Sequence, residues 1–187
     1  NHIQPAIFSL PMEARKALVN AFVVSKIDYC NSLYAGQPKC QLNRLQLVVN
    51  ACARMISGQS KFTHITPLLQ KLHWLRIPER IEFKVCTMVH KALFGKTPKY
   101  LADLIKPVTL GKKSLTLRSA ETGAKSRIEE PIRRVNTMFG ERAFAVAGPL
   151  AWNHLPHHVR ELEDHGKFRN ALKTSKFLAS FAPAPLE

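Results

Sequence analysis

Leu42, Leu45, Val48, Cys52 and Ile56 recur at steps of three and four residues and stop at Gly58. On a helix of about 3.6 residues per turn, that spacing lays one apolar stripe, and only burial against another element satisfies it. The other face carries Arg44, Asn50 and Arg54, and a glycine just past the stripe is where helices commonly end left-handed. The preceding segment has the same texture. Ser9 and Pro11 predict a helix start, Ser as a cap and Pro in the first turn. Leu18, Phe22 and Ser25 alternate with Ala14, Ala17, Ala21 and Val24 in a stripe running towards Leu33, broken by Gly36 and Pro38. A helical pair is expected over 1–58.

The punctuation continues. Thr66-Pro67 predicts a short helix through Leu68, Leu69 and Leu72. After Pro78, the residues Ile81, Val85, Met88, Val89 and Ala92 predict a longer one to about Phe94, ended by Gly95 and Pro98. Tyr100, Leu101, Leu104 and Ile105 predict one more short helix before Pro107, closing a second helical unit over 59–106. From 107 to 138 helical periodicity lapses into Lys, Arg, Ser, Thr and Gly. A basic irregular loop and a small β-hairpin both fit there, with strands around Leu115–Leu117 and Ile132–Val135. Residues 139–187 predict a C-terminal helical unit. Phe139, Phe144, Val146 and Trp152 share one helix, Phe168, Leu172 and Phe177 another, and Pro183 and Pro185 mark a frayed tail. The fold class is therefore mainly α.

Charge narrows the partners. Over 187 residues, 28 Lys and Arg face 13 Asp and Glu, a net +15 that favours a polyanion. Residues 1–140 hold 22 of the basic and 8 of the acidic residues, so the nearly neutral tail is the poorest candidate for such a contact. Hydrophobic residues make up 45% of the chain, enough for a packed core. No apolar run approaches the roughly 20 residues of a membrane span, and no secretory signal pattern opens the chain. No membrane partner is expected. The start without Met, in mid-pattern, suggests a piece of a longer protein. Cys30, Cys40, Cys52 and Cys86 read as free, packed thiols of a nuclear or cytoplasmic protein that is not secreted.

The residues offer little for catalysis. Two-metal nucleotidyl transfer needs paired carboxylates, and the only aspartates are Asp28, Asp103 and Asp164. The run Glu161-Leu162-Glu163-Asp164 reads as a solvated helix end or turn. The cysteines stand too far apart for a structural zinc site, and His154, His157 and His158 lack a second ligand pair. No catalytic residues, metal ligands or cofactor are expected. The best binding candidates are Lys112, Lys113, Arg118, Lys125, Arg127, Arg133 and Arg134, in a segment suited to following a phosphate backbone. A second strip comprises Lys61, His64, Arg80, Lys84 and Lys91, with Arg80, Lys84 and Lys91 near one helical face. Trp74 and Trp152, each flanked by apolar residues, read as core anchors before base-stacking platforms.

Several words of the sequence carry a resemblance. They are Ile27-Asp28-Tyr29-Cys30-Asn31-Ser32-Leu33, His64-Ile65-Thr66-Pro67, Leu72-His73-Trp74-Leu75, Leu117-Arg118-Ser119, Phe139-Gly140-Glu141-Arg142-Ala143-Phe144 and Trp152-Asn153-His154-Leu155-Pro156. In this order, from about Leu10 to Phe177, the chain resembles the region downstream of the polymerase active site in non-LTR (LINE-type) retrotransposon reverse transcriptases of the jockey-related branch. The resemblance implies that residues 1–58 form a thumb-like bundle gripping a template–product duplex, and that the remainder helps to handle element RNA and target DNA. The process implied is target-primed reverse transcription by an RNA-directed DNA polymerase. Its magnesium-binding aspartate pair would belong to the palm, which these residues do not include. Where that family often carries a longer basic or Ser-rich bridge, this chain has Ala124 to Glu130, with two acids. The expected function is nucleic-acid binding by a non-catalytic part of such an enzyme. The alternative is a relic or domesticated reading frame acting as a protein-interaction scaffold.

Overall fold

A computed structural model describes residues 9–107, 127–130 and 140–181. It is mainly helical, and among the described residues no strand is formed; Pro107 and Ile128 make an isolated antiparallel bridge. The chain folds as two compact units. The first holds described residues 9–31, 37–80 and 176–181, the second 32–36, 81–107, 127–130 and 140–175.

The first unit opens with α1 (Met12–Val19), a π-helical turn (Asn20–Val24) and α2 (Ser25–Asp28). The helix starts just after Pro11, which itself occupies the N-cap position. The π turn adds a residue to the repeat and rotates the face that follows. The apolar stripe is not continuous: Val19 is buried, while Leu18 and Phe22 are exposed.

α3 (Lys39–Ser57) follows Pro38 and packs against α1 and against α4 (Ile65–Lys71). Its buried residues are Val49, Cys52, Ala53 and Ile56. Val49 takes the inward place expected of Val48, which is 45% exposed, since the buried stripe centres on Val49, Cys52, Ala53 and Ile56. Burying a large apolar side chain of this kind stabilises by about 1.5–3 kcal/mol, more than the roughly 1 kcal/mol of a typical cap. Leu69, Leu72, Trp74, Leu75 and Ile77 complete the unit's buried apolar set.

Polar ties fix these helices. Arg15 Nη1 donates to the Met55 carbonyl at 3.2 Å, and Arg54 donates through Nε and Nη2 to the Thr63 carbonyl, both at 3.1 Å. The amide of Ile77, at the start of α5 (Ile77–Leu93), donates to Gln46 Oε1 at 2.8 Å, which satisfies a first-turn donor that lacks a helical partner. α4 begins one residue before the expected Thr66, with His64 at its N-cap.

In the second unit, Cys86, Val89 and Ala92 of α5 meet Ile105, Ile128, Trp152, Leu155, Val159, Phe168 and Leu172 in one core. Ile105 follows α6 (Lys99–Ala102), Ile128 lies on the stretch bridged to Pro107, Leu155 links α7 (Phe144–Asn153) to α8 (His157–Arg160), and the others come from α7, α8 and α9 (His165–Phe181). Gly148 lets α7 approach closely, because a Cβ there would stand 3.1 Å from Val89 Cγ2 and 3.3 Å from Ile105 Cδ1. Asp164 Oδ1 accepts from the Lys167 amide at 2.7 Å and so caps α9, fulfilling the expected helix-end role of the acidic run. Both tryptophans are buried anchors, Trp74 at 7% exposure and Trp152 at 1%. Of the four thiols expected to pack, Cys52 and Cys86 are buried while Cys30 and Cys40 are exposed; none of the four forms a disulfide.

Candidate nucleic-acid interface

The basic residues expected to bind separate into distinct environments. Arg80, on the first turn of α5, has only 12% of its side chain exposed. Its Nη1 donates to both oxygens of Asp28, at 3.1 and 2.9 Å, its Nε donates to the Leu75 carbonyl at 2.8 Å, and its guanidinium lies 5.6 Å from the Trp74 ring centroid. A guanidinium held this way has little capacity left for a phosphate. Within the strip, Arg80 serves as a structural cross-link with Asp28 as its counter-ion. Asn31 joins them, donating through Nδ2 to Asp28 Oδ1 at 3.4 Å.

Lys84 is exposed and Lys91 half-buried in the second unit; Lys61 and His64 are exposed in the first. Arg127 is exposed on the stretch that pairs with Pro107. Asn153 clamps that stretch: its Oδ1 accepts from the Ile128 amide at 3.1 Å, and its Nδ2 donates to the Ile128 carbonyl and to Glu130 Oε1, both at 2.9 Å. Lys112, Lys113, Arg118, Lys125, Arg133 and Arg134, like both expected strands, lie outside the described residues.

The sequence reading overlooked the exposed aromatics. Phe62 is 85% exposed, with Lys61 Nζ 5.0 Å from its ring centroid, and Tyr29, Phe22 and Tyr100 are also largely exposed. The signal was local: Phe62 falls in Ser60-Lys61-Phe62-Thr63, a polar connection outside any apolar stripe. Arg160 was also missed. It lines a cavity in the second unit together with Arg127.

That unit also holds an aromatic cluster around a fully buried histidine. His90 stacks on Phe168 at 4.2 Å between centroids, and its Nε2 donates to the Leu162 carbonyl at 2.9 Å. Because the carbonyl can only accept, the neutral ring carries its proton on Nε2, and Nδ1 accepts from His165 Nδ1 at 3.3 Å. Burial pushes the His90 pKa down, against the opposing pull of the Leu162 hydrogen bond. His165 is lowered too, first by burial and then by Lys91 and Arg169. Among the described residues, no group of three or more His, Cys, Asp or Glu is placed to hold a metal ion, and no helix is long and apolar enough to cross a membrane.

Comparison with protein-family models, with curated proteins and with solved structures finds no match to this chain.

Proposed function

We propose that the chain binds RNA and DNA as a non-catalytic, C-terminal part of a retrotransposon RNA-directed DNA polymerase, in the nucleus or cytoplasm, during target-primed reverse transcription. The observation that carries this is the charge: +15 over the chain, with Lys61, Lys84 and Arg127 exposed. The exposed Phe62 beside Lys61 adds a face on which an unpaired base can stack. The resemblance of the sequence words names the parent enzyme. Two of those words serve the fold in this structure, Asp28 through Arg80 and Asn153 through Ile128. Asp28 is engaged by Arg80 and Asp164 by the start of α9. Filter binding to duplex and single-stranded nucleic acid tests the proposal. Affinity should fall steeply with salt, and its absence at low salt would refute it.

A second role, as a protein-interaction scaffold, is favoured by the exposure of Leu18, Phe22, Leu47 and Val48 in the first unit. Under that role, neutralising Lys84 and Arg127 leaves partner binding intact.

A further inference from the structure

In the second unit, a cavity of about 400 Å³ is walled by Phe94, Ile128 and Trp152 on its apolar side. Arg127, Arg160, Glu161 and Glu163 supply its charges. The volume lies within the range of small-ligand sites, of roughly 300–1,000 Å³, and is suited to one base with its sugar and phosphate.

Arg160 is the anomaly. Its Nε and Nη1 have no contact with solvent and no hydrogen-bond partner among the described residues. A guanidinium does not shed its proton at neutral pH, so these N–H groups are unmatched donors; shielded as they stand, they meet a ligand in the cavity only when the side chain turns towards it. Burial and then the neighbouring Arg127 charge disfavour its cationic form, which an incoming anion would relieve; Glu161 works in the opposite sense. Glu161 makes no hydrogen bond to Arg160 Nε or Nη1, and its Oε2 lies 3.3 Å from His157 Nδ1.

The remaining chemistry selects the anion. With two guanidiniums and two carboxylates the lining is formally neutral, so it favours a dianionic phosphate monoester less than an all-basic site would and suits a singly charged phosphodiester. Exposed carboxylates also accept readily from the exocyclic amine of a base. The exposed part of Phe94 offers a flat apolar surface. A paired base inside a duplex is not free to enter such a space, whereas an unstacked base of a single strand is.

We propose that this cavity takes one nucleotide of a single-stranded nucleic acid, with its phosphodiester on Arg160 and Arg127 and its base against Phe94 and Ile128. Glu163 accepts from an amino group of the base. The site deepens the nucleic-acid-binding role above and rests on it, adding a single-strand site to a basic surface that does not discriminate.

The test is fluorescence anisotropy on the full chain, with a labelled adenine strand of about eight nucleotides and a labelled duplex. Arg160→Met should weaken single-strand binding roughly tenfold or more, the loss expected on removing a charge-assisted contact. Duplex binding should stay within about twofold, and the thermal midpoint should hold or rise because an unmet buried charge is gone. Phe94→Ala, at a partly exposed position, should also weaken the single strand selectively. If both variants bind the single strand like the wild type while duplex binding persists, the cavity proposal falls and the broader role stands. Failure of the wild type to bind either probe sinks both. Competition by free adenosine monophosphate as effective as that by the unlabelled strand would assign the cavity to a free nucleotide and overturn the strand.

Discussion

Arg80 shows how a charged residue in a basic chain is diverted from binding. Its guanidinium meets Asp28, the Leu75 carbonyl and the Trp74 ring at once, with 12% of the side chain exposed. Removing the partner leaves a mostly buried cation unmatched, so Asp28→Ala should lower stability by about 1–2 kcal/mol. Chemical denaturation of the two chains measures it, and an unchanged midpoint would contradict the cross-link. His90 makes the converse case, a base buried neutral. Its pKa is lowered by burial below its ordinary 6.5, with His165, Lys96 and Asp164 as the charged and titratable neighbours. The unfolded state therefore binds protons that the folded state refuses, and stability rises with pH in that window. The contribution is complete above about pH 6.5 and is lost as pH falls below it, by at most about 1.4 kcal/mol per unit for each such group. Thermal midpoints measured from pH 8 down to pH 5 should decline below 6.5, and His90→Phe should flatten that decline. An equal decline in the variant would place the effect elsewhere.

At the scale of elements, three helices end alike. The Gln59 amide reaches the Arg54 carbonyl at 2.9 Å past Gly58, the Trp74 amide reaches Leu69 at 2.9 Å past His73, and the Lys96 amide reaches Lys91 at 2.8 Å past Gly95. Each turn needs a left-handed residue, with φ of 64° at Gly58, 53° at His73 and 65° at Gly95. Gly58→Ala should cost about 1 kcal/mol, read by urea denaturation; no loss would mean that the turn relaxes without strain. Gly58 and Gly95 were legible because glycine at the end of an apolar stripe has one common meaning. His73 was not, since only the tertiary ring contact with Phe177, at 5.7 Å, and the Trp74 anchor reveal why the chain turns there. Helix spans were likewise legible from their period, as α5 and α9 show. The inward register of Val49 and the exposure of Phe22 depend on the π turn and on neighbouring helices, which no local pattern records.

For the molecule as a whole, charge was the clearest signal, and its placement was the hardest to read. Counting residues locates the excess in 1–140 but does not separate an exposed Lys84 from an Arg80 already engaged with Asp28. Arg160 lay in the segment whose balance looked least promising, because net charge averages a buried guanidinium with the exposed acids beside it. Nucleic-acid binding is the central claim, and the salt dependence of affinity tests it most directly. For the intact chain, log affinity for a duplex should fall linearly with log salt. The triple variant Lys61→Gln, Lys84→Gln, Arg127→Gln should have a slope smaller by about two to three, near 0.9 for each phosphate no longer neutralised. A wild-type affinity that ignores salt, or a triple variant with an unchanged slope, would contradict the account.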